Sequence, residues 1–363
     1  MRSAPRSSPA WVIFRAVLCM WSRKRSAEPP ITTKPETVRM TEAINPVLIT
    51  GAGLIGCETA RLLSARGQAC VVFDHGTPKS DLSRLPGVSF QQGDITDMAA
   101  LTALFEEGQF DAVIHTAAML SNGLRADPVQ GLNVNIIGTA QLLDLAARHG
   151  VRRFVQASSA TVVYAGFSSF DASPIPEDCA LSLVSQRPPS LYALTKVTCE
   201  HLALHWRATS GLSTVSLRFA AVLGGESDPP SSVPGHLMNR LIAAARAGGT
   251  HLLDDPLFYW DKEEEFVDLR DCARAMLCAL DAPSPAQGVY FVAGPQGHTL
   301  EEFAAYVAAR YGDFTLEVPT HSPVGFAGFP HPRPAQSSRI AAQRELGFTA
   351  RHTLEDTLHH WWS

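Results

Sequence analysis

Long apolar runs are missing from this chain. No stretch reaches the ~18 consecutive apolar residues of a membrane helix. The nearest candidate, Trp11 to Trp21, is short and cut by Arg15. No C-x-x-C pair occurs, and the seven cysteines are an odd number. They lie mostly in apolar or helical contexts, as at Cys70, Cys199, Cys272 and Cys278, and read as reduced thiols in a reducing compartment. Basic excess is missing from most of the chain as well. Residues 1–39 carry eight Lys/Arg against two Asp/Glu, which leaves residues 40–363 at −11 of the whole-chain −5. An acidic body speaks against nucleic acid and anionic membranes as partners. No metal set is evident either. His201 and His205 stand four apart on an expected helix without a third ligand, and read as surface histidines. Charged residues are 18% and hydrophobic residues 45%, enough apolar content for a sizeable core and too much for a disordered chain. A length of 363 residues accommodates one large domain or two smaller ones.

Residues 1–45 stand apart. The first 39 are rich in Arg, Ser and Pro, a composition compatible with an organelle transit peptide. A start at Met40, just before the first strand, accounts for them at least as well. Either way the segment is set aside from the fold, is expected to be poorly ordered, and the protein is expected to be cytoplasmic.

What is present begins at Val47. Val47-Leu-Ile-Thr50 reads as a short strand, followed by Gly51-Ala-Gly53-Leu54-Ile55-Gly56, a helical pattern ending at Gly67, and a second strand, Val71-Val-Phe73, closed by Asp74. Dinucleotide chemistry needs this order. Gly51 permits the tight turn, Gly53 lets backbone approach a pyrophosphate, and Gly56 lets helix and strand pack closely. The helix N-terminus offers free N–H groups to phosphate. Asp74, 23 residues after Gly51, accepts hydrogen bonds from ribose hydroxyls and repels a 2′-phosphate, which favours NAD over NADP. The alternation continues through strands at 88–91, 112–116 and 153–157. Helices are expected at 97–107, capped by Asp97, and at 128–149. Repeated β-α-β units with apolar strands predict an α/β fold built on a doubly wound parallel sheet.

Strand five runs into Ser158-Ser159-Ala-Thr161-Val-Val-Tyr164. Thirty-odd residues on, Tyr192-Ala-Leu-Thr-Lys196 opens a helix expected to reach about Arg207. Residues four apart on a helix share a face, and a phenol beside an ammonium is suited to proton transfer. The Ser159 hydroxyl is placed to hold a substrate oxygen beside that phenol.

With these motifs the chain resembles the extended short-chain dehydrogenase/reductase superfamily, in its NAD-dependent epimerase/dehydratase group, over about residues 46–363. The resemblance also rests on Gly93-Asp94-Ile95, His115-Thr116-Ala117-Ala118, Asn135-Ile-Ile-Gly138-Thr139, Leu217-Arg218-Phe219, Phe266-Val-Asp268-Leu-Arg-Asp271 and Glu345-Leu-Gly-Phe348. It implies a Rossmann domain over 46–224. It implies a smaller C-terminal α/β substrate-binding region over 225–363, within which 266–295 return to the Rossmann core. It further implies Tyr192 as general base or acid, Lys196 on the nicotinamide ribose, and Ser159 on the substrate oxygen. Asp94 and Ile95 would lie beside the adenine, and Thr116, Ala117, Ala118 and Asn135 would line the cofactor. Met119, Thr161 and Ala221 are weaker substrate candidates. A homodimer through helices 128–149 and 190–207 is implied too.

The chain departs from its relatives in three places. Relatives space a Ser/Thr four residues before the tyrosine that matches Tyr164. Ala160 holds that place, so Ser159 is retained with one extra valine aligned, and Thr161 is the fallback. Ala220-Ala221 stand where many nucleotide-sugar relatives have Asn. Glu263, Glu264 and Glu265 precede Phe266, where relatives tend to carry a diphosphate-pairing Arg. The run either repels a diphosphate or is a solvated loop while another arginine, such as Arg333, does the pairing. The expectation is an NAD-dependent dehydrogenase for a small sugar, hydroxy acid or alicyclic alcohol. The alternatives are a nucleotide-sugar epimerase or dehydratase that keeps its NAD, and a non-catalytic NAD sensor. A complete Ser159, Tyr192 and Lys196 set speaks against the sensor.

Overall fold

A computed structural model describes residues 45–362 except 172, 180, 182–189, 226–229, 231 and 320–323. The expectations for residues 1–39 and for a start at Met40 lie outside the described residues. The apolar segments become strands β1 (Val47–Thr50), β2 (Cys70–Asp74), β3 (Val88–Gln92), β4 (Ala112–His115), β5 (Arg153–Ser159) and β6 (Ser213–Phe219). Six follow in the second half: β7 (Ala221–Leu223), β8 (Thr250–Leu252), β9 (Glu264–Asp268), β10 (Val289–Val292), β11 (Gly297–His298) and β12 (Thr315–Glu317). The helices are α1 (Leu54–Ala65), α2 (Met98–Gly108), α3 (Ser121–Ala126), α4 (Pro128–Leu132), α5 (Gly138–Arg148) and α6 (Thr161–Tyr164). They continue with α7 (Leu191–Ser210), α8 (Val233–Ala247), α9 (Leu269–Asp281), α10 (Leu300–Tyr311), α11 (Ile340–Leu346) and α12 (Leu354–Trp361).

The main sheet has the order β3-β2-β1-β4-β5-β6-β10, and every neighbouring pair is parallel. The order reverses between β1 and β4, so a crevice opens beyond the carboxyl ends of these two strands, the place where such sheets bind ligands. The period-2 alternation of a strand divides the apolar residues between two faces. Val47 and Ile49 face α1 and α9 through Ala60, Leu63, Met276 and Ala279. Leu48, Val113 and Phe154 face α2 and α5 through Leu101, Phe105, Leu142 and Leu143. Both faces are covered, which completes the doubly wound arrangement.

β7, β9 and β11 form a second sheet with β9 in the centre. Its aromatic core brings Trp260 and Phe266 against Phe303 of α10 and Leu237 and Leu241 of α8. Asp97 caps α2 by accepting from the Ala99 and Ala100 amides at 2.9 and 3.1 Å. The helix expected over 128–149 is interrupted. A π-helical turn at Asn133–Ile137 separates α4 from α5, and its physical cause lies in the site described below. Cys57, Cys70, Cys179, Cys199, Cys272 and Cys278 are free thiols, and burial pushes Cys70 up to about 12. Among the described residues, no helix is long and apolar enough to cross a membrane.

Candidate active site

The three glycines divide their work by geometry. Gly51 has φ +99°, and a Cβ there would lie 2.5 Å from the Ala117 amide nitrogen. A Cβ on Gly56 would lie 1.9 Å from the Gly51 carbonyl oxygen. Around Gly53, the exposed N-cap of α1, a Cβ would meet nothing within 4 Å. The loop is thus closed by protein at two glycines and open at the third, above free N–H groups at a helix N-terminus. This is a cradle that fits a pyrophosphate. Asp74 ties the loop to β2, accepting from the Ala52 amide and from the Gly76 amide, both at 2.7 Å. Thr116 donates to the Gly51 carbonyl at 3.1 Å, and the Ala117 amide donates to Thr50 at 2.8 Å. The geometry separates two variants. Gly53→Ala should fold normally and weaken dinucleotide binding about tenfold or more by blocking a charge-assisted backbone contact, as calorimetric titration will show. Gly56→Ala should lose soluble protein.

On the next β-α turns, Asp94 holds its own loop, accepting from the Thr96 amide and hydroxyl, both at 2.8 Å. The Ile95 side chain turns into the core, where Gly138 lies against it, so only its main chain is left for an adenine. Asn135 is buried, and its amide is engaged by protein on both sides. Its Oδ1 accepts from Met119 N at 2.7 Å, and its Nδ2 donates to Met119 O at 3.0 Å and to Thr195 Oγ1 at 3.1 Å. It therefore pins the segment after β4 to α7. The same residue explains the π turn. Its carbonyl accepts from Thr139 Oγ1 at 2.6 Å and from Cys199 Sγ at 3.0 Å, side-chain partners that hold the widened turn.

Ser190 caps α7 by accepting from the Ala193 amide at 3.1 Å, which places half-buried Tyr192 in the first turn. Lys196, one turn on, is buried. Its Nζ lies 5.6 Å from the Tyr192 ring centroid and donates to the Ala157 carbonyl of β5 at 2.7 Å. Two residues further along β5 comes Ser159, and Thr161 Oγ1 donates to Ser159 Oγ at 3.0 Å. The two residues between which the alignment had to choose form one hydroxyl pair. His201 and His205 lie on the exposed side of α7. Met119 is half-buried, packs against Gly123 and Gly131, and is held through its main chain. Ala221 sits half-buried in β7, opposite Phe266.

Two buried networks escaped the sequence reading. Glu200, one turn beyond Lys196, accepts from Arg218 Nε at 2.9 Å, from Arg218 Nη2 at 2.8 Å and from Ser158 Oγ at 2.6 Å. Burial alone would lower the Arg218 pKa, but the Glu200 hydrogen bonds raise it, so the guanidinium stays charged. The spacing Tyr192, Lys196, Glu200 was the available signal. The second network corrects the acidic-run expectation. Glu263 is exposed, but Glu264 and Glu265 are 1% and 0% exposed in β9. Arg333 Nε donates to Glu264 at 2.6 Å, Arg333 Nη1 lies 3.0 Å from Glu265, and Arg339 Nη2 lies 3.3 Å from Glu265. The run is neither a solvated loop nor a free negative field. Arg333 is not a spare cation either, because Nη1 also meets Ser337 at 3.2 Å and the remaining Nη2 meets Tyr164 at 3.1 Å. The reason is burial, since a charge leaves water only with a partner.

His115 closes the floor of the site. Its Nδ1 is 2.7 Å from Thr50 Oγ1, and its Nε2 is 2.8 Å from Thr139 Oγ1. The Thr139 hydroxyl gives its proton to Asn135, so Nε2 carries the imidazole proton and Nδ1 accepts from Thr50. Burial first, and then the Lys196 ammonium, push His115 down to about 3. The folded chain keeps this ring neutral while the unfolded chain protonates it below about pH 6.5. Stability contributed by the neutral ring should therefore be lost as pH falls from about 6.5 towards 3, at up to ~1.4 kcal/mol per pH unit. Urea unfolding at pH 7 and 5 should show this slope, and His115→Gln should flatten it.

Comparison with known proteins places the chain in a family. The family model described as NAD dependent epimerase/dehydratase family matches residues 47–294. UDP-glucose 4-epimerase 2 of Arabidopsis thaliana is 30% identical over 344 residues, 87% of this chain and 94% of that protein. The mitochondrial L-threonine 3-dehydrogenase of Sus scrofa is 29% identical over 273 residues, 71% of this chain and 66% of that protein. Among solved structures, MoeE5 in complex with UDP-glucuronic acid and NAD superposes with a TM-score of 0.67 at 25% identity, covering 87% of this chain and 97% of that one. The chain belongs to the NAD-dependent epimerase/dehydratase family, and is an NAD-using enzyme of the extended short-chain dehydrogenase/reductase type.

Proposed function

We propose that this enzyme oxidises a secondary hydroxyl of a small sugar-like, hydroxy-acid or alicyclic substrate that carries no nucleotide. NAD, when bound, supplies the acceptor for the hydride of the carbinol carbon. Gly51, Gly53, Leu54, Ile55 and Gly56 would hold its pyrophosphate, Asp74 its adenosine ribose, and Asp94 and the Ile95 main chain its adenine. Thr116, Ala117 and Ala118 would flank it, and Lys196 would hold the nicotinamide ribose. Tyr192 receives the hydroxyl proton as general base, leaving a carbonyl, and Ser159 with Thr161 holds the substrate oxygen. Asn135 acts by positioning α7.

One observation carries the choice of substrate class. Arg333, the arginine that the sequence offered for pairing with a diphosphate, is 4% exposed and fully paired with Glu264, Glu265, Tyr164 and Ser337. A diphosphate would find no unpaired guanidinium in this network. The second reading, a nucleotide-sugar epimerase that returns its hydride, is favoured by the 30% identity to a UDP-glucose 4-epimerase. A panel of sugars, polyols, hydroxy acids and nucleotide sugars, followed by NADH absorbance and product analysis, separates the two. Net NADH from a non-nucleotide alcohol is expected. Epimerised UDP- or dTDP-sugar without net NADH would install the second reading.

The assembly belongs to the same proposal. Val129, Ile137 and Leu194 are 69%, 49% and 41% exposed on α4, the π turn and α7, an apolar set suited to pairing with a second copy. Light scattering at micromolar concentration should give a homodimer, and a monomer would count against it.

A further inference from the structure

Ser159 and Thr161 lie at a strand end, where the chain leaves β5 for the single helical turn of α6. A turn of four residues has little stability of its own. Its far end carries Tyr164, which is 3% exposed and well removed from solvent. The Tyr164 ring is held between Phe167, with centroids 4.5 Å apart, and Phe329, at 4.7 Å and edge-on. Its hydroxyl donates to Glu264 Oε1 and accepts from Arg333 Nη2, both at 3.1 Å. Burial and then the Glu264 carboxylate raise the Tyr164 pKa, so the phenol keeps its proton and remains a donor. Glu264 and Glu265 face Arg333 and Arg339, two charges of each sign, and Ser337 donates to Glu265 at 2.6 Å. This cluster belongs to β9 and the 333–339 segment, more than 60 residues downstream of α7's first turn in sequence.

We propose that Tyr164 is a positioning residue. Anchored by Glu264 and Arg333, it fixes from the second sheet the turn on which Ser159 and Thr161 present their hydroxyls. The inference rests on the reading that this hydroxyl pair holds the substrate oxygen. It assigns the paired charges of β9 a task in the reaction: they keep Tyr164, and through it the α6 turn, in one place.

The test uses the full chain. Tyr164→Phe keeps the ring and its aromatic neighbours and removes only the hydroxyl. Amide exchange over residues 159–165 should quicken about tenfold, the scale of one lost hydrogen bond, while α7 and the melting temperature stay near their original values. With the best substrate of the panel, kcat should fall about tenfold on the same scale, with KM for NAD unchanged. Arg333→Gln should have a larger effect of the same kind wherever it folds, and Tyr164→Phe decides the question alone if it does not. Unchanged exchange at 159–165 would overturn the proposal. So would faster exchange with full kcat, because the anchor would then serve stability only. The underlying reading fails by a different result: Ser159→Ala and Thr161→Val together leaving turnover intact.

Discussion

Tyr192→Phe should cut turnover by about 10²–10⁴-fold, the usual scale of general acid–base catalysis, and leave NAD affinity nearly unchanged. The asymmetry follows from where the hydroxyl sits. Tyr192 is in the first turn of a 20-residue helix with a serine cap, and helix N-termini favour developing negative charge. The Lys196 ammonium is held by the Ala157 carbonyl, so the Tyr192 oxygen is the part of the pair left free for proton transfer. Phe keeps the ring, the helix and the contacts of Lys196. Lys196→Ala removes the ammonium from both the phenol and the ribose site, and should weaken turnover and NAD binding together. Stopped-flow NADH formation and calorimetric titration of NAD measure the two quantities separately. A Tyr192→Phe enzyme with near-native turnover would remove Tyr192 from the mechanism.

Arg218→Met should cost about 3–5 kcal/mol of folding stability, the cost of leaving one member of a buried ion pair without its partner. That is a large share of the ~5–15 kcal/mol available to a typical native protein. Arg218 and Glu200 side chains are each 4% exposed. Removing the guanidinium would leave the Glu200 carboxylate with only the Ser158 hydroxyl. It would also release the Glu177 carbonyl, which Arg218 Nη1 reaches at 2.9 Å. Denaturant midpoints give the loss. Pairing the change with Glu200→Gln should recover a large part of it, because the stranded charge is then gone, and the four-point cycle measures the coupling directly. If the single variant melted with the original protein, the pair would be energetically idle.

Much of the nucleotide half was legible because its signals are local. Gly51, Gly53, Gly56 and Asp74 lie within one strand–helix–strand unit, and each glycine's task can be inferred from spacing alone. Tyr192 and Lys196 were legible for the same reason, one helical turn separating them. The Glu264–Arg333 pairing was not, since 69 positions separate the partners and a run of three glutamates reads by itself as a solvated loop. Only the burial of β9 between β7 and β11 makes those carboxylates need cations. The choice between Ser159 and Thr161 was likewise invisible, because it turns on a side-chain contact across a strand end and not on any alignment of valines. The second sheet, with strands of two to five residues, carries too short a period to announce itself.

The π turn at Asn133–Ile137 has a bearing on how this gene tolerates length changes. A π turn is one residue wider than the α turn it replaces, so the helical rod from Pro128 to Arg148 holds a surplus residue. Deleting one position inside the turn would convert it to an ordinary α turn and leave Leu142 and Leu143 on their present face, since the surplus is what the wide turn absorbs. The change would then fall on the Asn135 amide and its bonds to Met119 and Thr195. Deleting one position in the regular part of the rod would instead rotate one flank against the other by about 100°. Insertions and deletions in this helix are therefore tolerated or rejected by rotation, where a surface loop would register only length.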